Sequence, residues 1–416
     1  MNIKIIITSI FIIFIFIACN KNDDETIPST DIDTIKFSEI TVNDIANNNN
    51  SRDIGFQFQV SNGVSDIETL HILFTKENQS ITETEAVQLT DEALYEIKIE
   101  AIVNLNIDEI LLDSEGTAIT EGINYTPHLL IRDNKQNTIL HTGKTSFQLK
   151  NETVVTTLKL KSGTIKATED IAIDKDLNLY VNGGSLNTST LYKIDTNGNA
   201  IELSNAMNFP VGCTIGDDNA VYVTNFQSTN INKIDASGNH SILINNPILV
   251  GGGGIIITNN GDIYNTFFAV QKIFKIKEGS VEEFISSPLL NGPVGMTYDK
   301  DRDNIYIANF KDGKIFLVDT DNTLTEIAKT PASIGHMSYA NNHLHITGWQ
   351  EHKVFRLDLE GNIIDTIGTG EEGQNNGTAT QATFKNPNGI EATPDGKIVY
   401  ITDAIGAIRK IIMKRI

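Results

Sequence analysis

Four tyrosines, Tyr180, Tyr222, Tyr264 and Tyr306, stand 42 residues apart, each preceded by an aliphatic residue. A glycine or its substitute lies ten or eleven residues before each one, and a polar loop and a second aliphatic run ending near an aspartate follow it. One unit reads Gly212 to Asp217, Ala220 to Thr224 and Ile231 to Asp235; another reads Gly295 to Asp299, Asn304 to Asn309 and Lys314 to Asp319. Two more follow with drift, at His345 and at Tyr400, 39 and 55 residues on, so six repeats run from about Ile165 to Ile411. A period near 42 built of short strands, with no helical pattern, is that of one four-stranded propeller blade per repeat. Only five residues follow Ile411, too few for an outer strand, so Val154 to Leu160 is expected to complete blade six from the N-terminal side and close the ring.

At 416 residues the chain exceeds one ordinary domain. Apolar runs of four to seven residues punctuated by Asn, Asp and Gly make it all-β, with Glu83 to Leu94 the one helical candidate. The formal charge of −21 repels nucleic acid and anionic lipid headgroups and makes both poor candidate partners. Much of that acid lies in turns such as Asp195 to Gly198, Asp235 to Gly238, Asp299 to Asp303 and Asp319 to Asp321. None has the full spacing of a calcium loop, and turn chemistry accounts for them.

The N-terminus reads as a signal segment: Lys4, then an apolar stretch from Ile5 to Ile17, too short for a stable spanning helix. Its end, Phe16-Ile17-Ala18-Cys19, resembles the bacterial lipobox, which implies cleavage after residue 18 and lipidation of Cys19. The acidic stretch Asn20 to Glu25, within a tether over 19–33, is similar to the signal that sends some Gram-negative lipoproteins to the outer face of the outer membrane. Removing Lys4 takes the mature charge to −22. Cys213 is then left alone; it is expected to be a small buried hydrophobe, and no disulfide is available within the mature monomer.

Residues 34–149 read as a separate sandwich of half-buried strands, for example Ile54 to Val60, Leu70 to Phe74 and Tyr95 to Ile99, with a flexible loop at Asn47 to Asn50. The segment Gly122 to Asp133, followed by Thr145 to Leu149, is similar to the last two strands of fibronectin type III domains on bacterial surface proteins. That resemblance implies a tyrosine-corner role for Tyr125 and a spacer role for the domain.

Residues 153–416 resemble the NHL-repeat family of six-bladed propellers. Asn386-Pro387-Asn388-Gly389-Ile390 matches that family's opening, Tyr400-Ile401 its centre and Arg409-Lys410-Ile411 its end, after a glycine-rich insertion from Thr366 through Phe384. The resemblance implies the fold and leaves function open.

In a propeller the loop entering the inner strand and the loop leaving the second strand share one face. There, the residue four beyond each clock position is Gly184, Phe226, Phe268, Phe310, Trp349 and Ala404 in turn, with Phe267 beside one of them. Four aromatics on successive blades form a candidate stacking platform for a protein, peptide or carbohydrate ligand, with Asn225, Asn309 and Asp403, one residue earlier, as polar partners. The competing reading makes each ring a packing residue between blades.

An enzyme is the second reading. The gluconolactonase and senescence-marker family, also six-bladed, binds a divalent cation through side chains just before the inner-strand glycines; Asn388 matches its proline-asparagine-glycine ligand, and Glu169 stands at the equivalent position of blade one. The other equivalents, Val211, Gly253, Val294 and Ile334, offer no side-chain oxygen, so these are weak candidates for a cation, and no cofactor is expected. His336, His345 and His352, spread over strands, read as packing and surface residues rather than a zinc site. The sequence therefore points to a monomeric, lipid-anchored envelope binding module rather than a metal-dependent hydrolase or lyase.

Overall fold

The structure, a computed structural model, describes residues 41–45, 53–57, 67–77, 79–91, 96–97, 102–106, 123–133, 135–144, 146–148, 152–185, 188–331 and 333–414. The signal segment, tether, Cys19 and the Asn47 to Asn50 loop lie outside the described residues. No helix among the described residues is long and apolar enough to cross a membrane. The chain divides into two compact units, Met1–Asn151 and Glu152–Ile416.

The first unit holds two antiparallel sheets. One pairs Thr41–Ile45, Asp53–Gln57 and Ile102–Asn106; the other pairs Ile67–Lys76 with Glu96–Ile97 and with Asn124–Asp133, which also meets Thr138–Thr142 and Phe147–Gln148. Tyr125 is buried and stands opposite Phe147. The helical candidate forms at Glu83–Asp91. The Thr82 hydroxyl accepts the N–H of Glu85, and the Glu85 carboxylate accepts the N–H of Thr82, a reciprocal cap that sets its start.

The second unit is six propeller-like blades. Five are four-stranded antiparallel meanders, beginning with Ile171–Ile173, Pro210–Ile215, Gly252–Ile257, Pro293–Asp299 and Ile334–Ala340. The sixth orders Ile390–Ala392, Ile398–Thr402, Ile408–Ile412, Val154–Thr157 and Gly377–Thr378. The N-terminal segment thus pairs with the last strand, Val155 opposite Ile411 and Val154 opposite Ile412.

Three repeated contacts explain the sequence clock. Each clock tyrosine packs into the blade that follows: Tyr180 clusters with Val221 and Val223, Tyr222 with Ile255 and Ile263, Tyr264 with Met296 and Ile305, Tyr306 with Met337 and Leu344, and Tyr400 with Ala167 and Ile171 of blade one. On blades one to three a lysine lies directly across the next strand with its ammonium over the ring: Lys193 on Tyr180, Lys233 on Tyr222 and Lys275 on Tyr264.

The glycines answer a second demand, because inner strands converge near the axis. A Cβ on Gly212 would stand 2.2 Å from the Gly253 carbonyl oxygen, and one on Gly389 would stand 2.3 Å from that of Glu169. The third contact is a hydroxyl or amide two residues after the clock position that bonds the carbonyl at the next inner strand. Asn182 Nδ2 reaches Val211 O at 3.3 Å, Thr224 Oγ1 reaches Gly253 O at 2.6 Å, and Thr266 Oγ1 reaches Val294 O at 3.1 Å. Thr347 Oγ1 reaches Asn388 O at 2.6 Å, and Thr402 of blade six reaches Glu169 O of blade one at 2.6 Å. Ala308 is the exception.

Arg409, fully buried, ties the glycine-rich insertion to blade six by donating to Thr383 O (2.7 Å), Asn375 O (2.9 Å) and Asn376 Oδ1 (3.0 Å) beside the Phe384 ring. The acidic turns behave as turn chemistry requires. Asp195 Oδ1 accepts the N–H groups of Asn197 and Asn199, and Asp235 Oδ1 those of Ser237 and Asn239.

Candidate functional site

The face that carries the aromatic positions is built by another repeated bond. The backbone N–H at each position donates to the loop that enters the inner strand of its own blade: Phe226 to Phe209 O (2.8 Å), Phe268 to Gly251 O (3.2 Å), Phe310 to Gly292 O (2.9 Å), Trp349 to Ser333 O (2.7 Å) and Ala404 to Lys385 O (2.9 Å). Phe209, Gly251 and Gly292 all have positive φ (55°, 79° and 64°), a conformation natural to glycine and strained for phenylalanine.

These bonds bring the four rings together. Phe226 and Phe268 lie 6.4 Å apart between centroids, Phe268 and Phe310 6.0 Å, and Phe310 and Trp349 5.8 Å, all tilted or edge-to-face. Phe209, which the sequence pattern missed, extends the arc at 5.6 Å from Phe226. All five are half-buried, unlike Phe267, which is fully buried against Phe274. Lys311 Nζ lies 4.8 Å from the Phe268 ring centre, and exposed Ile248, Val250, Val270 and Leu289 stand on the flanking loops.

The three polar residues expected beside the arc do not line it. Asn225, Asn309 and Asp403 are buried and brace the loops around them. Asn225 Oδ1 accepts from Asn208 N (2.9 Å) while its amide donates to Asn230, and the Asn309 amide donates to Leu289 O (2.9 Å). Asp403 Oδ1 accepts from Ile405 N (3.0 Å) and Ala407 N (3.3 Å); burial raises its pKa. Asp403 serves the amides of its own turn, whereas Asn225 and Asn309 tie theirs to the loop that enters the inner strand of the same blade.

A second group sits on the inner strands of blades one, two, five and six. Asp170 occupies the blade-one position that the other blades give to glycine. Its buried carboxylate accepts from Cys213 N (3.1 Å) and lies 3.4 Å from His336 Nδ1. Burial raises the Asp170 pKa, opposed by His336 and by the N–H groups of Cys213, Ile171 and Ile390. Glu391 is pushed up to about 8, first by burial and then by Asp170, against a bond from Ser338. Glu169, also pushed up to about 8 by burial, accepts from Asn388 Nδ2 at 2.9 Å, with Asp170 adding to the rise. Glu169 and Glu391 keep some accessible surface although protein surrounds them; a water reaching them there cannot supply bulk hydration, and burial governs both.

The structure therefore joins Glu169 to Asn388, but by a bond between the two side chains. Asn388 Nδ2 also donates to Thr168 O (3.0 Å), and the backbone oxygens of both residues take the Thr402 and Thr347 hydroxyls. Among the described residues no three His, Cys, Asp or Glu side chains are placed to hold a metal. The histidines do not converge. His345 is buried, with its pKa lowered to about 3 by burial first and then by Arg356 and His343, and His352 Nδ1 accepts from Asn386 N (3.0 Å). His336 belongs to the axial group rather than to general packing; it is 2% exposed, and its Nε2 finds no hydrogen-bond partner among the described residues. Cys213 is buried, its thiol pushed well up by burial and the nearby carboxylates.

No family model matches the chain, and no curated protein matches it. Among solved structures it is similar to an auxiliary nutrient binding protein from Bacteroides ovatus, at 17% identity and a TM-score of 0.58 over 90% of this chain and 98% of that one. An auxiliary nutrient binding protein from Bacteroides thetaiotaomicron is similar at 12% identity and a TM-score of 0.56, covering 91% and 98%. A virginiamycin B lyase from Staphylococcus aureus aligns at 19% identity over 71% and 93%, but its TM-score of 0.46 carries no argument. At these identities the likenesses establish a propeller-like fold shared with distant relatives, and nothing more.

Proposed function

We propose that this chain is a lipid-anchored binding protein of the cell envelope, a closed six-bladed propeller of NHL type behind a fibronectin-like spacer, that captures its ligand on the aromatic face. The carrying observation is the continuous arc from Phe209 to Trp349. Five rings touch in succession across four blades and remain half-buried, on a face flanked by further exposed apolar side chains. Aromatics that served only as blade packing would be buried as Phe267 is; a contiguous apolar patch of this kind marks a binding surface. The nutrient-binding names of the two Bacteroides proteins accord with this reading. The lyase or hydrolase reading has no comparable support, because the Glu169 and Asn388 side chains bond each other.

The test is capture on glycan and peptide arrays with the full chain and its Phe226→Ala and Phe310→Ala variants. The reading expects both variants to melt within a few degrees of the parent and to lose capture. Melting far below the parent would make the rings core residues. For the anchor, Cys19→Ser should leave membranes on a high-salt wash; quantitative retention in the pellet would refute lipidation.

A further inference from the structure

The rings of the arc are not coplanar. From Phe209 to Trp349 successive planes are tilted by 62°, 59°, 68° and 55°, which leaves wedges between neighbours in place of one flat floor. A saccharide would also need partners for its hydroxyls. The asparagines of the loops entering the inner strands are already spent: Asn208 Nδ2 donates to Gln227 O (2.8 Å), Asn246 Oδ1 accepts from Ile248 N (3.1 Å) and Asn291 Nδ2 donates to Asp312 Oδ2 (3.3 Å). Wedges flanked by exposed aliphatic residues suit separate apolar side chains, and the spacing sets their interval. Ring centroids stand 5.6 to 6.4 Å apart, close to the step of about 6.6 Å between alternate side chains of an extended chain.

Charge narrows the ligand further. On this face the loops of blades two to four, 205–209, 226–229, 246–251, 268–271, 287–292 and 310–313, contain no charged residue but Lys311 and Asp312, in a chain of formal charge −21. Asp312 is engaged by Asn291 Nδ2 and by Lys314 N, each at 3.3 Å. Lys311 is exposed and forms no ion pair among the described residues, whereas Lys272 and Lys314, at the starts of third strands, bind Glu283 and Glu326. Its stem lies along the arc: a Cβ on Gly292 would stand 2.8 Å from Phe268 Cε2 and 3.2 Å from Lys311 Cγ. A lone ammonium held against an aromatic, on a rim otherwise free of available charge, is complementary to one negative charge.

We propose that the arc binds an extended segment of a partner protein, apolar at every second residue, with one carboxylate that pairs with Lys311. The inference rests on the aromatic face being the binding face and names what that face takes. The apolar side chains enter the wedges while the backbone of the segment stays in water.

The experiment is an array of nonamer peptides, beside the glycan array, probed with the full chain. One set alternates Leu or Phe with Ser and carries a single Glu in the apolar row. Matched sets carry Gln or Lys there, and a fourth keeps the composition of the first with its apolar residues in consecutive pairs. The alternating Glu set should be captured above the paired set by about tenfold or more, and above the Gln set by about two- to fivefold, the range of a solvent-exposed ion pair. Lys311→Glu, an exposed change that should melt with the parent, should reverse the order so that the Lys set exceeds the Glu set. Equal capture of alternating and paired sets, a Glu preference that survives Lys311→Glu, or capture of glycans without peptides would each overturn the assignment. If that glycan capture is lost with Phe310→Ala, the aromatic face stands without the peptide; if whatever the arrays capture is kept by Phe310→Ala, the binding-face reading itself has failed.

Discussion

Blades two to five and blades six and one follow one structural rule and present opposite chemistry at the mouth. The clock tyrosine packs forward in both sectors, and the staple to the next blade is made by Thr224 in one and by Thr402 in the other. Four residues past the clock, however, the first sector offers Phe226, Phe268, Phe310 and Trp349, while the second offers Gly184 and Ala404 beside Glu169 and Asn388. Residues that hold neighbouring blades together are fixed by geometry and repeat. Those that face outward at the mouth are free of that constraint, so a departure shared by several blades reports selection for something other than the fold.

The hardest blow to the comparison is deletion of Val154 to Leu160. It would strip the partner from Ile408–Ile412 and leave an open edge in blade six, and should cost the cooperative melting transition outright. Equal thermal stability of chains starting at residues 151 and 162 would show that the seam closes some other way.

Gly389→Ala and Gly212→Ala come next. Each Cβ would meet a backbone oxygen that has nowhere to move, so both should destabilise by roughly 2–4 kcal/mol in denaturant titrations. A mild effect at Gly389 alone would mean that the seam between blades six and one is looser than the others. Thr402→Val and Thr224→Val should each cost about 1–3 kcal/mol, by removing one hydroxyl that serves a carbonyl of the next blade. The two values should agree if the seams are equivalent.

Acid chemistry sharpens the contrast. The folded pKa of Glu391, about 8, lies above the ordinary 4.5, so the folded state keeps a proton that the unfolded chain releases. Its contribution is fully present below pH 4.5 and is lost as pH rises toward 8. Glu391→Gln, which mimics the protonated group, should nearly match the parent near pH 4.5 and exceed it near pH 8 by about 4 kcal/mol. Phe310→Ala, in the apolar sector, should shift stability equally at both pH values. A flat difference for Glu391→Gln would place that carboxyl in bulk-like water.

The blades were legible in the sequence because a repeat announces itself: tyrosine, glycine and polar turn recur on one period. The arc was legible for the same reason, by offset from the clock. The staples at Asn182, Thr224, Thr266, Thr347 and Thr402 carried the same signal, two residues past the clock, but a threonine in a strand is also an ordinary strand former, so the offset alone did not separate bonding from propensity. Asn225, Asn309 and Asp403 were expected beside the arc for their polarity; the structure shows them buried in local bonds, Asn225 and Asn309 to the loop entering their inner strand and Asp403 to the amides of its own turn. Phe209 falls outside the register of the arc and reaches it from an entry loop. The axial group could be suspected only as the single blade where glycine gives way to Asp170; the approach of His336 depends on how blades five and one converge, which no local pattern encodes.

Trp349 is the only tryptophan in the chain and ends the arc, so its emission reports the proposed face directly. Titrating the full chain with an array-identified ligand, while following tryptophan emission and its quenching by acrylamide, tests the central claim most directly. The account predicts partial quenching in the free protein, as a half-buried indole should show, and a saturable change in emission with reduced quenching as ligand binds. Binding seen by calorimetry with unchanged Trp349 emission and quenching would place the ligand elsewhere and contradict the aromatic face as the site.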